Sequence, residues 1–162
     1  AGFNRFISPL NDIANEVVTT ERLLLAVNEA SPLAHQASIP LRALADYPLI
    51  VFPSGPRPSF VDNVMSLCQQ AGFTPNVAQE VGDTVTGVAL VASNFGVCLV
   101  PESATVLALC GVVYRPLTDL PENAGVDLNC IYRFDDPSPL LRSFLDTVRA
   151  FRRDRAAASG EH

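Results

Sequence analysis

The sequence predicts an α/β fold, a mostly parallel open sheet with flanking helices, and three observations carry that prediction. Short apolar runs alternate with segments of helical periodicity. The run at 47–52 is compact, as strands covered on both faces are, and 77–81 and 97–100 read as further short strands. The connections between runs and helices are short. Right-handed strand–helix–strand crossovers produce this alternation. With 48% hydrophobic and 17% charged residues over 162 positions, the chain can bury a real core and does not have a disordered composition.

Taken in order, Glu21 to Val27 reads as a strand through Leu23-Leu24-Leu25-Ala26-Val27. The polar stretch Asn28 to Ile39 reads as a crossing into a new unit, and Tyr47 to Phe52 as a buried strand closed by Pro53-Ser54-Gly55-Pro56. A helix follows. Ser59 with Asp62 three residues on forms a near capping box, and Phe60, Val64, Leu67, Cys68 and Ala71 recur at helical spacing up to the stop at Gly72. Val77 to Val81 is the next strand. Asp83 caps a helix carrying Val85, Val88, Ala89 and Ala92, ended by Gly96. Val97 to Val100 is a strand, Pro101 opens a helix through Leu109, and Val112–Leu117 and Asp127–Phe134 are strands. Ser138 caps a last helix with Pro139 in its first position and Leu141, Phe144, Leu145, Val148 and Arg152 on one side. The small, polar tail 156–162 is expected to be disordered.

Composition narrows the function. The net charge is −6 and all 11 basic residues are arginine, so the chain lacks the electrostatic footprint of a nucleic-acid binder. The cluster Arg149, Arg152, Arg153 and Arg155 is explained by a helix C-terminus, where cations are favoured. No apolar run reaches the roughly 18 residues of a membrane span, and residues 1–10 have no signal-peptide pattern, which makes the cytoplasm the expected compartment. Cys68, Cys98, Cys110 and Cys130 lie far apart in apolar stretches and read as small hydrophobes. No metal or cofactor is expected. No nucleophile elbow, P-loop or zinc-protease motif is present. His35 and His162 are poorly placed as general bases, so the chain is not expected to be an enzyme.

In open parallel sheets, ligands lie beyond the carboxyl ends of the strands. That edge carries residues 53–60, with one guanidinium (Arg57), the hydroxyl of Ser59 and the ring of Phe60 at a helix start, where bare N–H groups favour an anion. The competing reading makes Ser59 only a cap and Phe60 only core. Arg5 is suited to a bidentate carboxylate bond, although an arginine taken alone more often meets only solvent.

At this point the chain resembles a known family. Glu21-Arg22-Leu23-Leu24-Leu25-Ala26-Val27, Ser31-Pro32-Leu33-Ala34, Tyr47-Pro48-Leu49-Ile50, Arg57-Pro58-Ser59-Phe60, Ala71-Gly72-Phe73-Thr74-Pro75 and Leu90 through Pro101 are similar, in order and spacing, to the effector-binding domain of LysR-type transcription regulators. The match is strongest to the subgroup that senses muconates, benzoate or related acids in aromatic and chloroaromatic catabolism. The family usually has a small residue or glycine at the position of Asn94. The resemblance implies a periplasmic-binding-protein-like fold of type II. It also implies an organic-acid effector held in a cleft between two subdomains, with control of DNA binding through closure and oligomer geometry. Carried over, Pro58, Ser59 and Phe60 are effector contacts, with Leu128 a lesser candidate. Arg5 and Asp83 match a second, aromatic-acid site, although one arginine of that site is Thr19 here.

Family sensor domains begin well before this chain does. The resemblance therefore implies a remnant of the first subdomain with a crossing strand over 1–27, a second subdomain over 28–131, a return strand and helix over 132–155, and an incomplete first subdomain. Promoter DNA would be met only through a winged helix-turn-helix outside this chain. A homodimer or tetramer is expected of the intact protein, RNA polymerase is left open as a partner, and no membrane is involved. The alternative is a solute-binding protein of the same fold.

Overall fold

A computed structural model describes residues 1–5, 12–55 and 58–159. In chain order the elements are β1 (Gly2–Asn4), β2 (Ile13–Glu21), β3 (Leu23–Asn28), β4 (Leu49–Val51), α1 (Phe60–Gln70), β5 (Val77–Glu80), α2 (Thr84–Ala92), β6 (Val97–Pro101), β7 (Val112–Pro116), β8 (Val126–Arg133) and α3 (Pro139–Ser159), with 3-10 helices at Pro32–His35, Leu41–Asp46 and Glu102–Val106. They form two compact units, Ala1–Thr20 with Val126–His162, and Glu21–Gly125.

The second unit is built on a five-stranded sheet of order β5-β4-β6-β3-β7. β4 runs parallel to β5 and β6, whereas β3 runs antiparallel to both β6 and β7. The expected parallel character thus holds for the three strands that alternate with helices, and the sheet as a whole is mixed. β3 could not be given a direction from its sequence, because its partners lie more than 70 positions away: Leu25 pairs with Leu99 on one side and Arg115 on the other. The continuous run from Leu23 to Val27 is buried throughout, as a strand flanked by neighbours and covered on both faces must be. β5 lies at the sheet edge and is exposed along its whole length.

In the first unit, β8 lies between β1 and β2. β1 pairs antiparallel with it through Gly2↔Ile131, Phe3↔Cys130 and Asn4↔Asn129. Val18, Cys130, Leu145 and Val148 form a small core joined by Tyr132 and Leu141, so α3 packs its apolar stripe on the sheet face.

The two units divide at Thr20/Glu21 and Gly125/Val126, where the resemblance implies divisions at 27/28 and 131/132. Several expectations about single elements are corrected. β3 is an internal strand of the second unit's sheet, and β8 is the middle strand of the first. β2 was not anticipated, although Val17-Val18-Thr19-Thr20 carries β-branched residues suited to a strand. Leu41 and Leu44 are buried in a 3-10 helix. The helix expected through Leu109 is a single short 3-10 segment ending at Val106. The tail expected to be disordered from Ala156 is helical through Ser159, and 160–162 lie outside the described residues.

The stop of α2 is also reassigned. Asn94 takes the left-handed conformation, at φ 60°, which asparagine tolerates better than most residues. Gly96 serves a different purpose: a Cβ there would lie 2.3 Å from the Pro48 carbonyl oxygen, which accepts the Val97 N–H at 2.9 Å. Gly72 ends α1 as expected, at φ +85°. Cys68, Cys98 and Cys130 are buried and Cys110 is exposed; all four are free thiols. Among the described residues no helix is long and apolar enough to cross a membrane.

Candidate functional site

In the second unit, each parallel strand runs into a helix start at its carboxyl end, and these starts hold most of the residues singled out by sequence. β4 leads through Phe52 to Pro53, Ser54 and Gly55. The Ser54 N–H donates to the Val81 carbonyl at 2.8 Å, which ties this segment to the end of β5. Ser54, Gly55 and Pro58 are exposed, and a Cβ on Gly55 would meet nothing within 4 Å. Pro56 and Arg57, and with them the guanidinium expected at this edge, lie outside the described residues.

Ser59 is the N-cap of α1, in extended conformation at φ −146°. Its backbone N–H donates to Asp62 Oδ2 at 2.7 Å, and its hydroxyl donates to the same oxygen at 3.5 Å. The capping box read from the sequence is therefore closed, and Ser59 is only 3% exposed. The Phe60 ring is equally buried and packs on Phe52, with centroids 5.2 Å apart. Phe60 is thus a core anchor that fixes where α1 begins, as the competing reading of this ring has it. The amphipathic pattern could not decide this, since a first-turn aromatic can face either way.

Asp83 is exposed at the start of α2. Its carboxylate accepts the Thr86 N–H at 2.8 Å and the Thr86 hydroxyl at 3.1 Å, and these bonds hold its pKa below the usual carboxylate range. After β6, Glu102 opens the 3-10 helix and accepts from Arg22 at 2.6 Å. The carboxyl edge of the parallel strands therefore carries Asp62, Asp83 and Glu102, each at a helix start, where negative charge is favoured.

Arg5 and Leu128 belong to the first unit. The register Asn4↔Asn129 runs on toward Arg5 and Leu128, and both are half-buried. Leu128 lines an apolar hollow of about 330 Å³ with Phe3, Val18, Phe144 and Phe151. The structure thus brings Pro58, Ser59, Phe60 and Asp83 onto one unit and Arg5 and Leu128 onto the other. Sequence also missed a cavity of about 210 Å³ in the second unit, lined by Ser31, Tyr47, Asn94 and Gly96 among others. Beside it, the Asn28 amide caps the end of α2, donating to the Val91 and Ala92 carbonyls at 3.2 and 2.9 Å. No spacing in the sequence could have revealed it.

Burial pushes the Cys68 thiol up to about 11 and Cys98 up to about 12, which disables both as nucleophiles. Among the described residues, no group of three or more His, Cys, Asp or Glu could hold a metal.

Comparison with known proteins gives a consistent picture. The LysR substrate binding domain matches residues 1–153. The HTH-type transcriptional regulator ClcR of Pseudomonas putida is 32% identical over 147 residues, which cover 91% of this chain and 49% of that protein. The structure of the BenM effector binding domain with its effector benzoate is similar at a TM-score of 0.82 and 27% identity, covering 99% of this chain and 71% of that one. Full-length CbnR complexed with its target DNA is similar at a TM-score of 0.84 and 28% identity, covering 93% of this chain and 52% of that one. The chain spans about half the length of the curated relatives it matches.

Proposed function

Because this chain belongs to the LysR substrate-binding-domain family, we propose that it senses a small organic acid, aromatic or dicarboxylic, for a transcription regulator. The observation that carries this reading is the family match over residues 1–153. The likeness to a domain whose effector is benzoate favours a carboxylate ligand. The start of α1 is the proposed seat: Pro58 as the exposed lip, the Ser59 hydroxyl and first-turn amides as donors, and Phe60 as the anchor behind them. A helix N-terminus favours a carboxylate by about 0.3–2 kcal/mol from its dipole alone. Asp83, Arg5 and Leu128 are further candidate contacts for the same ligand class.

The sensor acts without covalent chemistry. Its effector shifts the regulator between two states only by binding one better than the other. DNA contact is assigned to another part of the whole protein, since this chain has a net charge of −6. Homo-oligomerisation and a cytoplasmic setting belong to the same proposal. Isothermal titration of the whole protein with benzoate, cis,cis-muconate and chlorinated analogues tests it. Saturable heat with at least one acid is expected, and silence with every small organic acid ends the reading.

A further inference from the structure

In the second unit, β4 and β6 begin side by side, with Leu49 paired to Val97. A cavity of about 210 Å³ opens at these amino ends, walled by Asn28, Ser31, Tyr47 and Asn94 with Pro48 and Val97. Its volume is several times the roughly 30 Å³ share of one water and below the roughly 300 Å³ of a drug-sized pocket. The main chain around it is already satisfied. The Phe95 N–H donates to the Leu90 carbonyl at 3.0 Å and the Asn94 N–H to the Val91 carbonyl at 2.9 Å, a pattern that closes helix ends. The Asn28 carboxamide donates to the Val91 and Ala92 carbonyls and accepts the Ala30 N–H at 2.9 Å. The last three carbonyls of α2 are thus all taken, and the cavity does not offer a cation the bare end of a helix.

Three side chains of the wall keep unused groups. Among the described residues, no hydrogen bond engages the Tyr47 hydroxyl or the Asn94 carboxamide. The Ser31 oxygen accepts the Leu33 N–H at 3.3 Å, and its own O–H has no acceptor among the described residues. Asn94 stands at φ 60°, where glycine would fold with less strain; the chain places there a side chain that both donates and accepts. Among the described residues, no charged side chain lines the cavity.

We propose that this cavity is a second binding site, for a small uncharged polyol of monosaccharide size or below. Hydroxyl groups donate and accept together, as Ser31, Tyr47 and Asn94 do. A neutral ligand sheds no ionic hydration on entering, whereas a carboxylate would be desolvated here without a counter-charge. The site is therefore separate in place and in chemistry from the organic-acid reading, and it stands or falls independently of it.

Saturation-transfer NMR on the whole protein, with glycerol, D-ribose and D-glucose as probes, tests the proposal. Saturable transfer to at least one of them is expected. Tyr47→Phe removes one hydroxyl and keeps the ring. Asn94→Gly removes the carboxamide at a backbone conformation that glycine adopts freely, and it carries the test if the phenylalanine variant folds poorly. Each should weaken polyol binding roughly 2- to 10-fold, as loss of one neutral hydrogen bond does, while melting like wild type. Absence of transfer to all three probes overturns the site. Transfer that survives both substitutions undiminished overturns it too, because the polyol then binds elsewhere.

Discussion

Glu16 of β2 and Arg149 of α3, 133 positions apart in sequence, form a two-bond pair, with Arg149 Nη2 and Nε donating to Glu16 Oε1 and Oε2 at 2.6 and 2.9 Å. Tyr132 of β8 donates its hydroxyl to the same carboxylate at 2.6 Å. One acidic side chain thereby fastens the helix and two strands of the first unit. These bonds, the one from Arg149 first, hold the Glu16 pKa down to about 2 from its ordinary 4.5.

The sign of the pH dependence follows. A carboxyl whose pKa is depressed on folding contributes stability that is fully present above its unfolded value and is lost as pH falls through its folded value. The wild-type protein should therefore lose this contribution between about pH 4.5 and pH 2. Glu16→Gln should lower the urea midpoint at pH 7, and its curve should converge on wild type near pH 2. Equal midpoints at pH 7 would show that solvent screening leaves the pair inert.

Gly96 and Gly87 should respond oppositely to alanine. At Gly96 the added Cβ falls 2.3 Å from the backbone oxygen of Pro48, which cannot move without breaking its bond from Val97. Gly96→Ala should cost about 3 kcal/mol or more, or yield no soluble protein. At Gly87, inside α2, the Cβ would meet Cys98 Sγ at 3.4 Å and Phe52 Cδ1 at 3.5 Å, which is ordinary contact. Gly87→Ala should be neutral or up to about 1 kcal/mol stabilising through helix propensity. Thermal melts of the two variants decide the matter, and a reversed order would contradict the packing described.

Phe60 is predicted to matter for stability before it matters for ligand. Truncating a buried aromatic costs about 3–5 kcal/mol, so Phe60→Ala should melt far below wild type. Phe60→Leu, which keeps most of the buried volume, should fold and retain effector binding within a few-fold. A Phe60→Leu protein that is stable but blind to every acid would return the ring to the ligand surface.

The thiols should be separable by reactivity. Cys110 is exposed, while burial holds the Cys68 and Cys98 thiols protonated at neutral pH. A disulfide reagent should label one thiol rapidly in the native protein and the rest only on unfolding, and Cys110→Ser should abolish the fast phase. Rapid labelling of two or more sites would show that the core opens readily.

The features legible in the sequence were those closed within one helical turn. Ser59 with Asp62, Asp83 with Thr86 and Gly72 after α1 each satisfy backbone groups no more than four or five residues away, and Pro139 at the head of α3 sits where no N–H is needed, so spacing alone identifies them. The family resemblance was also legible, because it rests on phrases in order along the chain. Tertiary structure alone decided the rest. β3 found antiparallel neighbours at Leu99 and Arg115; Gly96 was required by Pro48; Glu16 met Arg149; and Phe60 turned inward onto Phe52. Each of these depends on which distant segment fills the space beside a residue. That is a matter of packing volume and strand pairing across dozens of positions, to which the periodicity of a single segment is blind.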